Sequence, residues 1–294
     1  MAPSTTATTT TTTDNKVWLI TGCSSGFGRE IAIAARNRGD LVIATARKVE
    51  TLDELKTLGC EALALDVTAS DEAVKEVVAK ANALYGRIDV LVNNAGYTAN
   101  GAVEEASAKE IQDLFETNVF GLLRVTHAVL PYMREKKSGT IANIGSVSGH
   151  ITLPLTGIYS ATKFAVAGLT QTLREEVAPF GIDVTVIEPD LFRTSVLSSM
   201  RRFEKPIDDY QAMTQAVLSF FMSGDVPMGD ATKGAQAIVE ALTKTGRAEG
   251  RVLPHRLLLG MTVREAVEGV LTRTQQQLNE WSDFAEPSAF AESK

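Results

Sequence analysis

The chain is expected to fold as an α/β protein: a doubly wound, mostly parallel sheet of six or seven strands with helices on both faces. Three observations predict it. From Lys16 onward, short β-branched runs alternate with longer helical patterns. The apolar runs are continuous, as strands buried on both faces require, and each gap between them can hold a crossover helix. With 294 residues, 44% hydrophobic and 22% charged, the chain carries enough apolar material for a sizeable core, which excludes a disordered or fibrous protein. No Pro/Gly/Ser linker divides it. A single domain over 16–281 is therefore expected, between a Thr-rich disordered tail at 1–15 and a C-terminal tail at 282–294.

The first strand is expected from Lys16 to Ile20. Phe27, Ile31, Ala34 and Ala35 then share one face of a helix that ends near Gly39. The buried-strand pattern recurs from Leu41 to Ala46, Ala62 to Leu65, Val90 to Val92, Thr140 to Ile144 and Val184 to Ile187. The run from Arg251 to Leu259 offers a seventh strand, interrupted by Pro254, which cannot donate to a ladder.

Charge and cysteine usage narrow the partners. A net charge of −7 without a Lys/Arg cluster lacks the footprint of a nucleic-acid or anionic-membrane binder, so a small-molecule partner is expected. Cys23 and Cys60 stand apart, forming neither a disulfide framework nor a metal cluster, which suits a reducing compartment. No apolar run approaches the ~18 residues of a membrane span, and no signal peptide is evident at the N-terminus, so the expected location is cytoplasmic.

Thr21-Gly22-Cys23-Ser24-Ser25-Gly26-Phe27-Gly28 lies between the first strand and its helix, where glycines allow a tight turn and let backbone N–H groups approach a pyrophosphate. Arg47 follows the second strand, about 20 residues past the loop, where an acid would bind the ribose of NAD. A guanidinium there favours a 2′-phosphate, and hence NADP(H).

At this point the chain resembles the short-chain dehydrogenase/reductase family in its single-domain branch, whose loop reads T-G-x-x-x-G-x-G. The loop, Ala-Thr-Ala-Arg at the second strand and Leu-Asp-Val-Thr at 65–68 look most like the estradiol 17β-dehydrogenase and retinol dehydrogenase groups. The resemblance implies a Rossmann-type fold with cofactor contacts from Gly22, Ser24, Ser25, Gly26, Phe27 and Gly28. It adds Asp66 and Val67 beside the adenine and Asn93, Ala95 and Gly96 at the end of the fourth strand. Pro189 and Thr194 follow the sixth strand, with Asp190 standing where the family carries glycine. A homodimer or homotetramer, formed through the helices bearing Asn118 and Tyr159, is also implied.

Tyr159 and Lys163 are four residues apart in a helical pattern, and so share a face. A phenol is a weak acid, with a pKa of about 10, and a nearby ammonium favours its phenolate. Ser146 precedes Tyr159 by the thirteen residues that the family uses for its serine, and Asn118 matches the fourth catalytic position, where an amide in an interrupted helix holds a relay water. His150 reads as a loop residue outside this set. The expected chemistry is hydride transfer between the nicotinamide and a carbonyl, without a metal. The segment at about 191–230, with Leu191, Phe192, Val196, Leu197, Met200, Phe203, Phe220, Phe221 and Met222 among charges such as Arg201, reads as an amphipathic lid for a bulky lipophilic substrate, or as helix faces packed on the domain. The alternative function is a non-catalytic NADP(H)-binding sensor or scaffold, which would not need Ser146, Tyr159 and Lys163 together.

Overall fold

Val17 and Leu19 enter one apolar cluster and Trp18 and Ile20 another, so the first strand is covered on both faces, as its unbroken apolar run demands. The computed structural model describes residues 15–194, 200–222 and 227–284. Its central sheet has seven parallel strands: β1 (Val17–Ile20), β2 (Leu41–Ala46), β3 (Glu61–Ala64), β4 (Val90–Asn93), β5 (Gly139–Ile144), β6 (Ile182–Pro189) and β7 (Arg256–Leu259). They lie in the order β7-β6-β5-β4-β1-β2-β3, a Rossmann-type fold, with Leu19 of β1 opposite Ile43 of β2 and Leu91 of β4. The direction of winding reverses between β1 and β4. That reversal opens a crevice at the carboxyl ends of the strands.

The helices are α1 (Gly26–Asn37), α2 (Asp53–Thr57), α3 (Asp71–Tyr85), α4 (Ala108–Phe115), α5 (Gly121–Lys136), α6 (Gly157–Val177), α7 (Gln211–Met222), α8 (Ala231–Thr243) and α9 (Val263–Glu280). Ile31 and Ala35 of α1 join Ala235 and Ile238 of α8 over one face of the sheet. Val74 and Val78 of α3, Val125 and Val129 of α5 and Val177 of α6 cover the other. No helix among the described residues is long and apolar enough to cross a membrane.

Two sequence expectations change. The seventh strand starts only after Pro254, whose carbonyl accepts a 2.7 Å hydrogen bond from the Thr185 hydroxyl of β6. The lid segment is partly tied to the body, where Arg201–Arg202 pairs with Ala99–Asn100, and its two ends pair with each other, Phe192–Arg193 with Gly229–Asp230. Phe203 is buried, while Phe220 on α7 is exposed. The Glu204 and Ile207 amides donate to Glu110 and Glu105, and the Tyr210 hydroxyl to Glu104. Val196 and Leu197 lie outside the described residues, as do the side chains of Phe221 and Met222, residues 1–14 and residues 285–294. Ser282–Phe284, within the expected tail, forms a single 3₁₀ turn.

Candidate active site

Gly22 and Gly26 have φ of +72° and +59°, so the loop after β1 runs through the left-handed region that side chains resist. A Cβ on Gly22 would lie 2.8 Å from the Ala95 Cα, and one on Gly28 would collide with Asn94 and the Gly22 carbonyl. Asn94 locks this close approach. Its Nδ2 donates to the Thr21 and Gly22 carbonyls at 2.9 and 3.0 Å, and the Thr21 Oγ1 accepts from the Asn94 and Ala95 amides. The first turn of α1 has no acidic residue, and its N-cap, Ser25, makes no side-chain cap. Its leading amides are thus oriented for an anion, and the loop fits the pyrophosphate of a dinucleotide.

A cleft of about 650 Å³ runs along the carboxyl edge of the sheet. Its wall takes in Gly22, Ser24, Ser25, Gly26 and Phe27 from the loop, Arg47 past β2, and Asp66 and Val67 past β3. Ala95 and Gly96 reach it after β4, Ser146 after β5, Tyr159 and Lys163 from α6, and Pro189 and Thr194 from the end of β6 onward. Asp66 also accepts from the Thr68 amide and hydroxyl, closing an Asx turn.

Three expected residues stand outside that wall. Gly28 is buried behind Asn94. Asn93 turns into the protein, where its Nδ2 donates to Thr126 Oγ1 at 2.9 Å and Asn143 Oδ1 at 2.8 Å, tying β4 to α5 and β5. Successive residues at a strand end face opposite sides, so Asn94 lines the cleft instead. Asn118 is 2% exposed, in a π-turn at Glu116–Phe120 between α4 and α5. Its Oδ1 accepts from the Tyr97 amide at 3.0 Å, and its Nδ2 donates to the Tyr97 carbonyl and to Thr162 Oγ1 at 3.0 and 3.2 Å. The helix is interrupted where the sequence suggested. Its side chain is occupied by protein groups and clamps the segment after β4 to α6.

The reactive side chains meet where β5 ends beside α6. The Lys163 ammonium lies 5.7 Å from the centre of the Tyr159 ring and donates to the Ile144 carbonyl at 2.8 Å. Burial brings Lys163 down to about 8. Burial also pushes the Tyr159 phenol above its ordinary value, and a hydrogen bond with Ser146 opposes that rise. The phenol is thus raised rather than lowered, and the group that opposes the rise is Ser146. Ser146 Oγ accepts from the Ser148 amide at 3.1 Å, which fixes the turn that presents it.

Two supports of this region were not legible in sequence. Glu188 on β6 is fully buried, accepting from Arg256 Nε at 2.8 Å and pairing with His150 Nε2 at 2.8 Å. Arg256 also donates to the Gly149 carbonyl, so β6 and β7 jointly hold the turn after Ser146. Asp190, where the resemblance implies glycine, does not have a positive φ. Its carboxylate accepts from the Thr262 amide at 3.1 Å and from the Thr262 hydroxyl, at the N-cap of α9. The Phe27 and Phe192 rings meet edge to face at 4.9 Å, joining the glycine loop to the segment after β6.

A family model described as short chain dehydrogenase matches residues 16–205. The chain belongs to the short-chain dehydrogenase family. It is 42% identical over 205 residues to the oxidoreductase BOA17 of Botryotinia fuckeliana, covering 68% of this chain and 74% of that one. A solved short-chain dehydrogenase from Streptomyces avermitilis superposes with a TM-score of 0.85 at 41% identity, over 94% of this chain and 99% of that one. An actinorhodin polyketide ketoreductase variant solved with NADPH gives a TM-score of 0.71 at 32% identity, over 85% and 97%. As a short-chain dehydrogenase, the chain is an oxidoreductase acting on a small molecule.

Proposed function

We propose that this short-chain dehydrogenase interconverts a ketone or aldehyde and an alcohol, using NADP(H), and that its substrate is bulky and lipophilic. The observation that carries this reading is the convergence of Ser146, Tyr159 and Lys163 on one wall of a cleft whose other end holds the glycine loop and Arg47. Arg47 is exposed past β2 and forms no ion pair among the described residues, which suits it to a ribose phosphate. When bound, the nicotinamide supplies or accepts the hydride.

The chain's own residues handle the proton. The Ser146 hydroxyl would hydrogen-bond the substrate oxygen, Tyr159 would give that oxygen its proton, and Lys163 would hold the cofactor's ribose and set the charge near the phenol. A phenol raised by burial stays protonated at neutral pH, so Tyr159 starts with the proton that reduction requires. Leu153, Leu191, Phe192 and Met200 give the cleft an apolar side for a lipophilic body.

NADPH consumption with a panel of lipophilic and small carbonyl compounds tests the reading. Tyr159→Phe is expected to lower kcat by about 10²–10⁴-fold while NADPH affinity, read by fluorescence titration, stays close to wild type. Undiminished turnover in that variant would refute the assignment of the proton donor, and NADPH binding without turnover of any carbonyl would favour the sensor or scaffold.

A further inference from the structure

The cleft wall carries several charges, and most are matched. Asp113 pairs with Lys109, and Glu116 pairs with Arg124. Asp190 is taken by Thr262, and Lys163 by the Ile144 carbonyl. Among the described residues, Arg47 and Arg201 line the cleft without a carboxylate partner. They belong to opposite parts of the fold: Arg47 follows β2, whereas Arg201 pairs with the segment that continues from Gly96 past Tyr97.

Arg201 is exposed, on a backbone that strand pairing fixes. Its amide donates to the Thr98 carbonyl and the Phe203 amide to the Asn100 carbonyl, both at 3.2 Å. Phe203 is buried against Leu114 and Ala99 and fills the space left open by Gly101. The guanidinium carbon sits 4.3 Å from the centre of the Tyr97 ring. A guanidinium over an aromatic face can still offer its N–H donors to a planar anion. Tyr97, Ile158 and Tyr159 all pack against the small apolar cluster that Phe203 completes, and Arg201 and Tyr159 line the same cleft. The Thr98 hydroxyl, on the same stretch of wall, is buried with no hydrogen-bond partner among the described residues.

We propose that Arg201 binds an anionic head group of the substrate, and that this enzyme's substrates are amphiphiles: an apolar body with a carboxylate or phosphate at one end. The inference rests on the oxidoreductase reading of the same cleft. Carboxylate and phosphate present the same acceptor chemistry to a guanidinium fork.

Binding to the NADP⁺-loaded full chain tests it without turnover. Dodecanoate, dodecyl phosphate and neutral methyl dodecanoate are titrated against wild type, Arg201→Met and Arg201→Lys by calorimetry. At least one anion is expected to bind about tenfold or more tightly than the ester in wild type, with the preference falling toward unity in Arg201→Met and partly kept in Arg201→Lys. The two anion arms identify the head group. Equal affinities in wild type, or a preference that survives in Arg201→Met, overturn the proposal. Matching 3-oxo acids and 3-oxo esters are then assayed for NADPH consumption. Anion-selective binding with no turnover of any carbonyl would count against the oxidoreductase reading alone, whereas turnover indifferent to charge would count against Arg201 alone.

Discussion

Arg47 offers a direct test at the residue scale, because an exposed guanidinium without an ion pair among the described residues is a group whose charge can be reversed with little cost to folding. Arg47→Asp is expected to shift the NADPH:NADH ratio of kcat/KM toward NADH by roughly tenfold or more, since a charge-assisted hydrogen bond becomes a repulsion. Lys163 offers a second. Burial lowers it to about 8, so its ammonium is lost as pH rises through that value, and reduction should decline above about pH 8 in a pH–rate profile. The linkage to stability has the opposite slope. Between about 8 and its ordinary 10.5 an unfolded lysine still holds its proton while the folded one has lost it, so stability rises with pH across that window. Urea midpoints compared between wild type and Lys163→Met should show this rise in wild type alone. The Asn93-Asn94 pair marks a limit of sequence reading at this scale. Both are asparagines, and only the strand's pleat decides which one meets the cleft and which one ties β4 to β5.

At the scale of elements, the turn bearing Ser146 depends on β7, an edge strand that the sequence signalled weakly. Arg256 of that strand neutralises the buried Glu188 and reaches the Gly149 carbonyl. Arg256→Leu would leave a carboxylate in the interior with only His150 beside it, and is expected to cost about 3 kcal/mol in denaturant unfolding and to lower kcat as the turn relaxes. The strands themselves were legible because unbroken apolar runs have few alternatives to a two-sided sheet. The two-residue pairing of Ala99–Asn100 with Arg201–Arg202 was not, since it joins segments a hundred residues apart and leaves no local periodicity. The position of Arg201 in the wall is a product of that pairing. The π-turn was half-visible: a polar residue in a helical run suggested an interruption, but the partners Tyr97 and Thr162 are set by packing.

For the whole molecule, α5 and α6 cover the same face of the sheet, and their exposed apolar residues bear on assembly. Phe120, ahead of α5, and Phe164 on α6 are 47% and 45% exposed. We propose that this surface joins two or four copies of the chain. Sedimentation equilibrium should return a mass of two or four chains, and Phe120→Glu with Phe164→Glu should shift it toward one. The order and identity of the site-bearing loops could be read from the sequence because each follows a strand whose apolar run announces it. Head-group recognition and the bracing of the serine turn could not, because both arise from contacts made only once the sheet is wound.

The bond from Asp190 to Thr262 has a bearing on how this protein can be altered. Through that bond this chain has made the mouth of its cleft and its last long helix answerable to each other. A graft of a foreign C-terminus, or a truncation before Thr262, would unfasten the strand exit that leads to Thr194. Diversification of either part therefore has to proceed as a matched pair.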